Sequence, residues 1–449
     1  MEETICAIST SLGVGAISII RVSGEDAINV VNGLFKGKDL NKVDSHTINY
    51  GFIVDKGSII DEVLISIMRA PRTFTMEDVV EINCHGGIAP TNKILELLLT
   101  NGCRLAEPGE FTKRAFLNGR IDLVEAEAIS DLIESSTDKA RDLAVKQVTG
   151  ELSKLIISLR EEIMGLLANI EVNIDFPEYD DALEITNEIL IPKIKEIKDK
   201  MNNILAESNN AKIIKDGIDV SIIGRPNVGK SSLLNTLLEE DKAIVTNIAG
   251  TTRDIVEGSL ILSGIKLNFI DTAGIRETED IIEKLGIDKS RQMIESSDLV
   301  ILLLNNNEEF SDDDKQLLDL TKNKETIIFI NKCDLDNKLK LDGLDNVILG
   351  STFNKDGIVD LKNKIIEIFS LEKIVQNDMT YLTNARQISL IKKSINKLEE
   401  IEELIHNETP IEFLTIDLKQ VWDYIGEIIG ATYKDELLDE LFSKFCLGK

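Results

Sequence analysis

The sequence predicts a multidomain α/β protein: an N-terminal α+β domain, then an all-α helical domain interrupted by an inserted P-loop (Ras-like) G domain. Three observations carry this prediction. A strand, glycine loop and helix follow one another across residues 220–238. Helical periodicity almost free of glycine runs from about residue 120 to 212 and returns from about 380. Ahead of both, residues 1–118 alternate short β-like runs with helical ones.

In the N-terminal part, Ala16–Ile20, Val63–Ile67 and Val79–Ile82 read as strands, because short β-branched runs suit a pleated, half-buried surface. Gly24–Leu34 and Asn92–Thr100 read as helices. Beyond residue 120, Leu123, Ala126, Ile129 and Ile133 recur at a spacing that places them on one helical face. Leu152, Leu155, Ile156, Leu159 and Ile163 continue the pattern, and Ile388–Ile405 and Leu414–Ile429 resume it. Neither helical stretch suffices for a domain alone. The expected boundaries are 1–118, 119–212 (first helical part), 213–373 (G domain) and 374–449 (second helical part).

The glycine loop, Gly224-Arg225-Pro226-Asn227-Val228-Gly229-Lys230-Ser231, follows the apolar run Val220–Ile223 and precedes Ser232–Leu238. That context gives GxxxxGK[ST] a mechanism. Glycines let backbone N–H groups crowd a phosphate, and the helix N-terminus adds its positive dipole end. Lys230 is placed to reach the outer phosphates, and the Ser231 hydroxyl to ligate magnesium. Three further pieces follow in order: Ala249-Gly250-Thr251-Thr252-Arg253-Asp254, then Asp271-Thr272-Ala273-Gly274 after the strand Lys266–Ile270, and Asn331-Lys332-Cys333-Asp334 after the strand Thr326–Ile330. Asp271 is placed to hold magnesium through water, and the Gly274 N–H suits the γ-phosphate. The Asp334 carboxylate can accept two hydrogen bonds from guanine that adenine does not offer, so the expected nucleotide is GTP. Many GTPases carry a water-orienting glutamine after Asp-x-x-Gly; here that position is Ile275. Glu277, Glu279, Asp280 and Glu283 are the downstream candidates, and sequence physics alone does not choose among them.

Composition narrows the partners. The formal charge of −29, from 50 basic and 79 acidic residues, repels polyanions overall. Any nucleic-acid contact must use a local basic patch or a partner protein. Five cysteines and three histidines show no metal-ligand spacing, so reduced thiols in a cytoplasmic protein are expected. Met-Glu-Glu-Thr-Ile-Cys lacks the basic-then-apolar order of a signal peptide, and no run approaches the ~18 apolar residues of a membrane span.

Over essentially its whole length the chain resembles the MnmE (TrmE) family of tRNA-modification GTPases. The resemblance rests on Ile20-Arg21-Val22-Ser23-Gly24, on Glu77-Asp78-Val79-Val80-Glu81 with Cys84-His85-Gly86-Gly87, on Pro108–Leu123, and on the terminal Cys446-Leu447-Gly448-Lys449. It implies a homodimer that works with a flavin-dependent partner (MnmG, or GidA) in a heterotetramer or larger complex. That complex installs an aminomethyl or carboxymethylaminomethyl group on carbon 5 of the wobble uridine of certain tRNAs. The one-carbon unit comes from 5-formyl-tetrahydrofolate or a related derivative in the N-terminal domain, where Arg21, Glu81, Arg120 and Lys449 match the folate-contacting positions. In the G domain the resemblance implies nucleotide contacts from Asn227, Val228, Gly229, Lys230, Ser231, Ser232, Thr246, Thr252, Asp271, Thr272, Ala273, Gly274, Asn331, Lys332, Asp334, Ser351 and Thr352. Ser231 and Thr252 match magnesium ligands, and Asn227, Thr246, Ile248 and Thr251 match ligands of a potassium ion around which G domains dimerise. Glu283 matches the catalytic glutamate and, with Lys230, forms the hydrolytic set.

Cys446 has two readings: a nucleophile or acid beside the folate, its thiol pKa lowered by a nearby cation, or an incidental thiol. His85 reads as a structural histidine at a strand end. The chain departs from the family pattern at Met76, where glycine is usual, in the less glycine-rich Leu12–Ala16, and at Ser351-Thr352-Phe353, where Ser-Ala-Lys or Ser-Ala-Arg is commoner. The alternative function is a ribosome-assembly-type GTPase without modification chemistry. The single glycine loop, the acidic charge and the terminal tail argue against it.

Overall fold

The computed structural model describes residues 3–175, 187–240, 256–270, 286–340, 344–371, 382–407, 409–433 and 435–448. The chain divides into two units: Met1–Ser130 with Gln147–Lys198 and Leu390–Lys449, and Asp131–Lys146 with Asp199–Ser389.

The first unit is built on a seven-stranded sheet. Its strands are β1 (Ile5–Ile8), β2 (Ile17–Ser23), β3 (Phe35–Lys36), β4 (Thr47–Asp55), β5 (Ser58–Met68), β6 (Val79–His85) and β7 (Arg104–Leu105), in the order β3-β4-β5-β6-β2-β1-β7. The pairings are antiparallel except β1 with β7. Helices α1 (Ala27–Leu34) and α2 (Ile88–Thr100) cover one face. Ile28, Val31, Ile94 and Leu98 from these helices pack on Ile20, Val22, Ile65, Ile67, Val80 and Ile82. Period-2 alternation then sends the intervening residues to the opposite face. There the register aligns two rows across the strands: Arg21, Glu81, Ser66 and Ile48, and beside it Ile19, Asn83, Leu64 and Tyr50.

The first half of the Pro108–Leu123 string builds a frame. Helix α3 (Glu110–Leu117) buries both of its charged ends. Arg114 bonds Glu77 Oε1 at 3.0 Å, Glu110 Oε1 at 3.0 Å and the Glu3 carbonyl at 2.9 Å. Arg104 grips both Glu110 oxygens, at 2.5 and 3.1 Å, and Glu3 at 2.8 Å. Glu77 also accepts from the Ser23 hydroxyl at 2.7 Å, which ties the cluster to β2. Burial pushes the Glu110 carboxyl up, but Arg104, the Glu107 N–H and Arg114 together outweigh it and hold it below its ordinary value.

Helix α4 (Leu123–Glu134) departs from the one-face expectation. Leu123 and Ala126 are buried, Ile129 is half-buried and Ile133 is 44% exposed. The reason is that only the first turns meet the Phe116, Leu438, Phe442 and Phe445 cluster. Helix α5 spans Asp138–Val148, and α6 (Glu151–Asp175) packs along the helix Ile411–Ile429. There the Arg160 guanidinium lies 3.8 Å from the centre of the Trp422 ring. Helical segments from either side of the glycine loop therefore pack on one another. Among the described residues no helix is long and apolar enough to cross a membrane.

The second unit carries a six-stranded sheet of β8 (Ile218–Ile223), β9 (Val256–Leu262), β10 (Ile265–Ile270), β11 (Leu299–Asn305), β12 (Glu325–Asn331) and β13 (Val347–Leu349). Its order is β13-β12-β11-β8-β10-β9, and all pairs are parallel except β9 with β10. Residues Leu299–Leu304 are fully buried, as expected for a central parallel strand covered on both faces. Helix α7 spans Asn187–Asp216, and helix α8 (Lys230–Glu240) leaves directly from the loop after β8. The helix Asp312–Leu320 starts on a reciprocal Ser311–Asp314 capping box.

Removing the shared cation tests the frame. Arg114→Leu leaves Glu77 and Glu110, with side chains only 16% and 9% exposed, without it. The expected loss is about 3–5 kcal/mol, read by calorimetry as a lowered transition of the first unit. An unchanged transition would mean that the charges are dispensable.

Candidate functional site

In open α/β sheets ligands bind beyond the carboxyl ends of the strands. In the second unit, β8, β12 and β13 deliver residues 224–231, 331–334 and 350–356 to that end. The glycine loop adopts the strained geometry that its glycines permit: φ is +154° at Gly224, +62° at Asn227 and +105° at Gly229. A Cβ on Gly229 would lie 2.3 Å from Asn331 Nδ2. Lys230 folds back over the loop, its Nζ donating to the carbonyls of Gly224 and Arg225, both at 2.8 Å. An ammonium has three donors, so one is left for a phosphate oxygen. Burial holds this amine below the ordinary lysine value, which makes an anion its natural complement.

The base-recognition side is assembled by hydrogen bonds among segments distant in sequence. Asn331 Nδ2 donates to the Val228 carbonyl at 2.9 Å, and its Oδ1 accepts from the Thr352 N–H at 3.0 Å. Lys332 Nζ donates to the Asn227 carbonyl at 2.9 Å. The Ser351 hydroxyl donates to Asp334 Oδ1 at 2.5 Å and fixes the carboxylate's rotation. One contact escaped the sequence reading. Arg225 bridges Asp314 at 2.8 Å and Glu308 at 2.9 Å, anchoring the loop from below. No motif signals it, because both partners lie more than eighty residues away.

Of the expected nucleotide and metal residues, the structure thus brings together Asn227, Val228, Gly229, Lys230, Ser231, Ser232, Asn331, Lys332, Asp334, Ser351 and Thr352. Thr246, Ile248, Thr251, Thr252, Asp271, Thr272, Ala273, Gly274 and Glu283 lie outside the described residues, as do Glu277, Glu279 and Asp280. The cradle fits a magnesium-bound triphosphate: the loop closes without a side chain at Gly229, and Ser231 stands at the start of α8 to supply an oxygen ligand. Asn227 is present to offer a hard oxygen to a monovalent cation.

The first unit holds a second cluster on the open sheet face. Arg21 donates to Glu81 Oε1 through Nε at 3.0 Å and Nη2 at 2.9 Å, across directly opposed positions of β2 and β6. The Gly448 carbonyl accepts from Ser9 Oγ at 3.0 Å and from Arg21 Nη1 at 3.5 Å. Gly448 must be glycine: with φ +88° and a Cβ that would fall 2.3 Å from the Ile8 carbonyl, the tail fits only without a side chain. Phe74 was missed by sequence reasoning, since a lone aromatic in a loop carries no signal. Its ring lies 4.8 Å from the Arg120 guanidinium and 5.9 Å from that of Arg21, and its carbonyl accepts from Arg120 Nη1 at 2.9 Å.

Arg21, Glu81 and Arg120 therefore converge around one aromatic ring beside the tail, while Lys449 lies outside the described residues. Two cations, an aromatic face and a carboxylate suit a flat heterocycle with an anionic tail, the chemistry of a folate. Cys446 is exposed; its carbonyl accepts from the Gly109 N–H at 3.3 Å, and among the described residues no side chain bonds its thiol. His85 pairs with Asp61 at 2.6 Å, and that carboxylate raises its pKa. No group of three metal-ligating side chains occurs among the described residues.

Comparison with known proteins agrees along the whole chain. Residues 4–120 match the family model described as the GTP-binding protein TrmE N-terminus, and residues 123–446 match the MnmE helical domain. The tRNA modification GTPase MnmE of Streptococcus thermophilus (strain CNRZ 1066) is 51% identical over 449 residues, covering 100% of this chain and 98% of that protein. The protein of the same name from Bacillus cytotoxicus is 51% identical over 455 residues, covering 100% and 99%. Among solved structures, the G domain of the T. maritima FeoB iron transporter is similar to 34% of this chain and 98% of its own, with 26% identity and a TM-score of 0.24. Sequence match and site geometry lead to one conclusion: the chain belongs to the MnmE (TrmE) family.

Proposed function

We propose that this chain is a potassium-dependent GTPase whose cycle, together with a flavin-dependent partner, drives addition of an aminomethyl or carboxymethylaminomethyl group to carbon 5 of the wobble uridine of certain tRNAs. The observation that carries the reading is 51% identity across the full chain to proteins named tRNA modification GTPase MnmE. The guanine-side geometry supports it independently.

The hydrolytic step transfers the γ-phosphoryl group of GTP to water, and the chain contributes position and charge. Lys230 turns its buried ammonium to the outer phosphates, and Ser231 and Thr252 hold magnesium. Asn227, Thr246, Ile248 and Thr251 hold potassium, which supplies the positive charge that other GTPases take from an arginine finger. Glu283 orients the attacking water in place of the absent glutamine. Asp334, held by Ser351, reads guanine.

In the first unit, Arg21, Glu81, Arg120 and Lys449 hold the tetrahydrofolate, which supplies the one-carbon unit when bound. Glu81 offers Oε2, since both Arg21 donors sit on Oε1. The open sheet face exposes Ile17 by 63%, Ile48 by 70%, Tyr50 by 59% and Leu64 by 46%. These exposed apolar side chains, set among polar ones, support a homodimer formed through this domain. With a charge of −29, tRNA contact falls to a local basic patch of this chain or to the flavoprotein.

Three outcomes test the reading. GTP turnover at equal ionic strength is expected to be faster in potassium than in sodium by at least about tenfold, a floor set well below the roughly 10³- to 10⁵-fold that an arginine finger gives. Equal rates would leave a generic G domain. Glu283→Ala is expected to keep nucleotide affinity and to lose about a hundredfold in kcat, within the range of a lost general-base contribution; unchanged turnover would remove Glu283 from the mechanism. Arg21→Ala is expected to weaken 5-formyl-tetrahydrofolate binding roughly 10- to 100-fold in calorimetric titration, the worth of charge-assisted hydrogen bonds. Binding equal to that of the unaltered chain would place the folate elsewhere.

A further inference from the structure

Among the described residues one aromatic ring is more exposed than any other. Phe353 is 87% exposed in a chain of only 4% aromatic residues. It stands where the family pattern commonly has a lysine or arginine, directly after the two residues that complete the guanine side.

The turn bearing it is held firmly. Ser351 is 1% exposed; its N–H donates to the Asp356 carbonyl at 3.0 Å and its hydroxyl to Asp334 at 2.5 Å. The Thr352 N–H is taken by Asn331 at 3.0 Å, and the Asn354 N–H reaches the Ser351 hydroxyl at 3.4 Å. Gly350 anchors the near end, its N–H on the Ile330 carbonyl at 2.9 Å and its carbonyl accepting from Cys333 at 3.0 Å. A Cβ there would fall 2.4 Å from the Phe329 ring, so the backbone is seated without slack. Residue 353 is thus presented by a rigid turn whose two preceding residues are bonded to the guanine-reading Asp334 and to Asn331, rather than by a loose loop.

A lone exposed apolar side chain is ordinary on a protein surface, but this ring stands on the turn that completes the guanine side, and a nucleobase is the flat partner that such a site binds. From this placement we infer that Phe353 is the outer wall of the guanine site, stacking on the purine face while Asp334 reads the edge. The inference rests on the GTP reading. A ring at this position binds through dispersion and the π-face, whereas a lysine or arginine binds through its stem and charge. The occupant is the base of the nucleotide; a protein surface docked on the ring is the competing outcome.

The experiment uses the full chain and GDP. Base–aromatic stacking predicts that Phe353→Ala weakens GDP binding about tenfold, mostly through faster release, and that Phe353→Tyr stays near the unaltered chain. In Phe353→Trp, GDP is expected to quench indole fluorescence beyond the response of the unaltered chain, whose one tryptophan is Trp422. If the unaltered chain fails to bind GDP, the GTP reading falls and this inference falls with it. If it binds GDP, and Phe353→Ala binds equally well with no added quench in Phe353→Trp, the stacking role alone is overturned.

Discussion

The side-chain amide of Asn331 determines how the nucleotide end of the sheet is built. It is 1% exposed and makes two bonds that no other group could replace together. Its Nδ2 holds the glycine loop at Val228, and its Oδ1 holds the turn after β13 at Thr352. Leaving either end unpaired in a buried setting would cost about 1–3 kcal/mol. The same amide sets the loop's composition: with Nδ2 where a Cβ of residue 229 would stand, only glycine fits, independently of any phosphate. Behind it, Asn305 lies opposite Asn331 in the β11–β12 register, and the Asn306 N–H donates to the Asn331 carbonyl at 2.9 Å. The phosphate-facing and base-facing segments are therefore one hydrogen-bonded object, pre-organised before a ligand arrives.

The sheet-bearing unit reaches the same end with charge. Arg114, Glu110 and Glu77, with the more exposed Arg104 at the rim, form a cluster in which every carboxylate meets a guanidinium. That cluster pins β2, the loop before β6 and α3 to one another, and these segments carry Arg21, Phe74 and the start of the turn to Arg120. Its carboxylates are taken up by the guanidiniums around them. The Arg21–Glu81 pair, about a quarter exposed on both sides, is the one with capacity left for a ligand. The Pro108–Leu123 string is thus distinctive for the architecture beneath the site more than for the site itself.

What the sequence made legible follows from interaction range. The glycine loop, the Asn331–Asp334 motif and the long apolar runs of β8, β11 and β12 are encoded within a few residues, and the structure places the described ones as expected. The β1 and β7 strands were not legible, because β7 is two residues long and exists only through pairing with β1. The periodicity of α4 promised a face down to Ile133, but periodicity does not say where a partner stops, and the Phe442 and Phe445 cluster meets only the helix's start. Phe74 and Arg225 stayed hidden for the same reason. Their roles come from partners at distances that a motif does not span.

Under the proposed function, the two sites would share a way of reading a flat heterocycle. In each, one carboxylate oxygen is already committed: Asp334 Oδ1 to the Ser351 hydroxyl, and Glu81 Oε1 to the Arg21 guanidinium. That commitment removes the rotational freedom a free carboxylate would lose on binding, while Asp334 Oδ2 and Glu81 Oε2 carry no bond among the described residues. Guanine and the pterin ring of a folate present the same edge, a ring N–H beside an exocyclic amino group, and a pre-oriented carboxylate is its complement. The orienting partner differs in kind. A neutral serine leaves the full negative charge of Asp334 to meet guanine, suited to strict selection against adenine. A guanidinium offsets the charge of Glu81 and adds its own donors, suited to a ligand that brings both an N–H edge and acidic groups. Within the proposed function, the same acceptor geometry serves selection in one unit and cofactor retention in the other, and the neighbour of each carboxylate sets which.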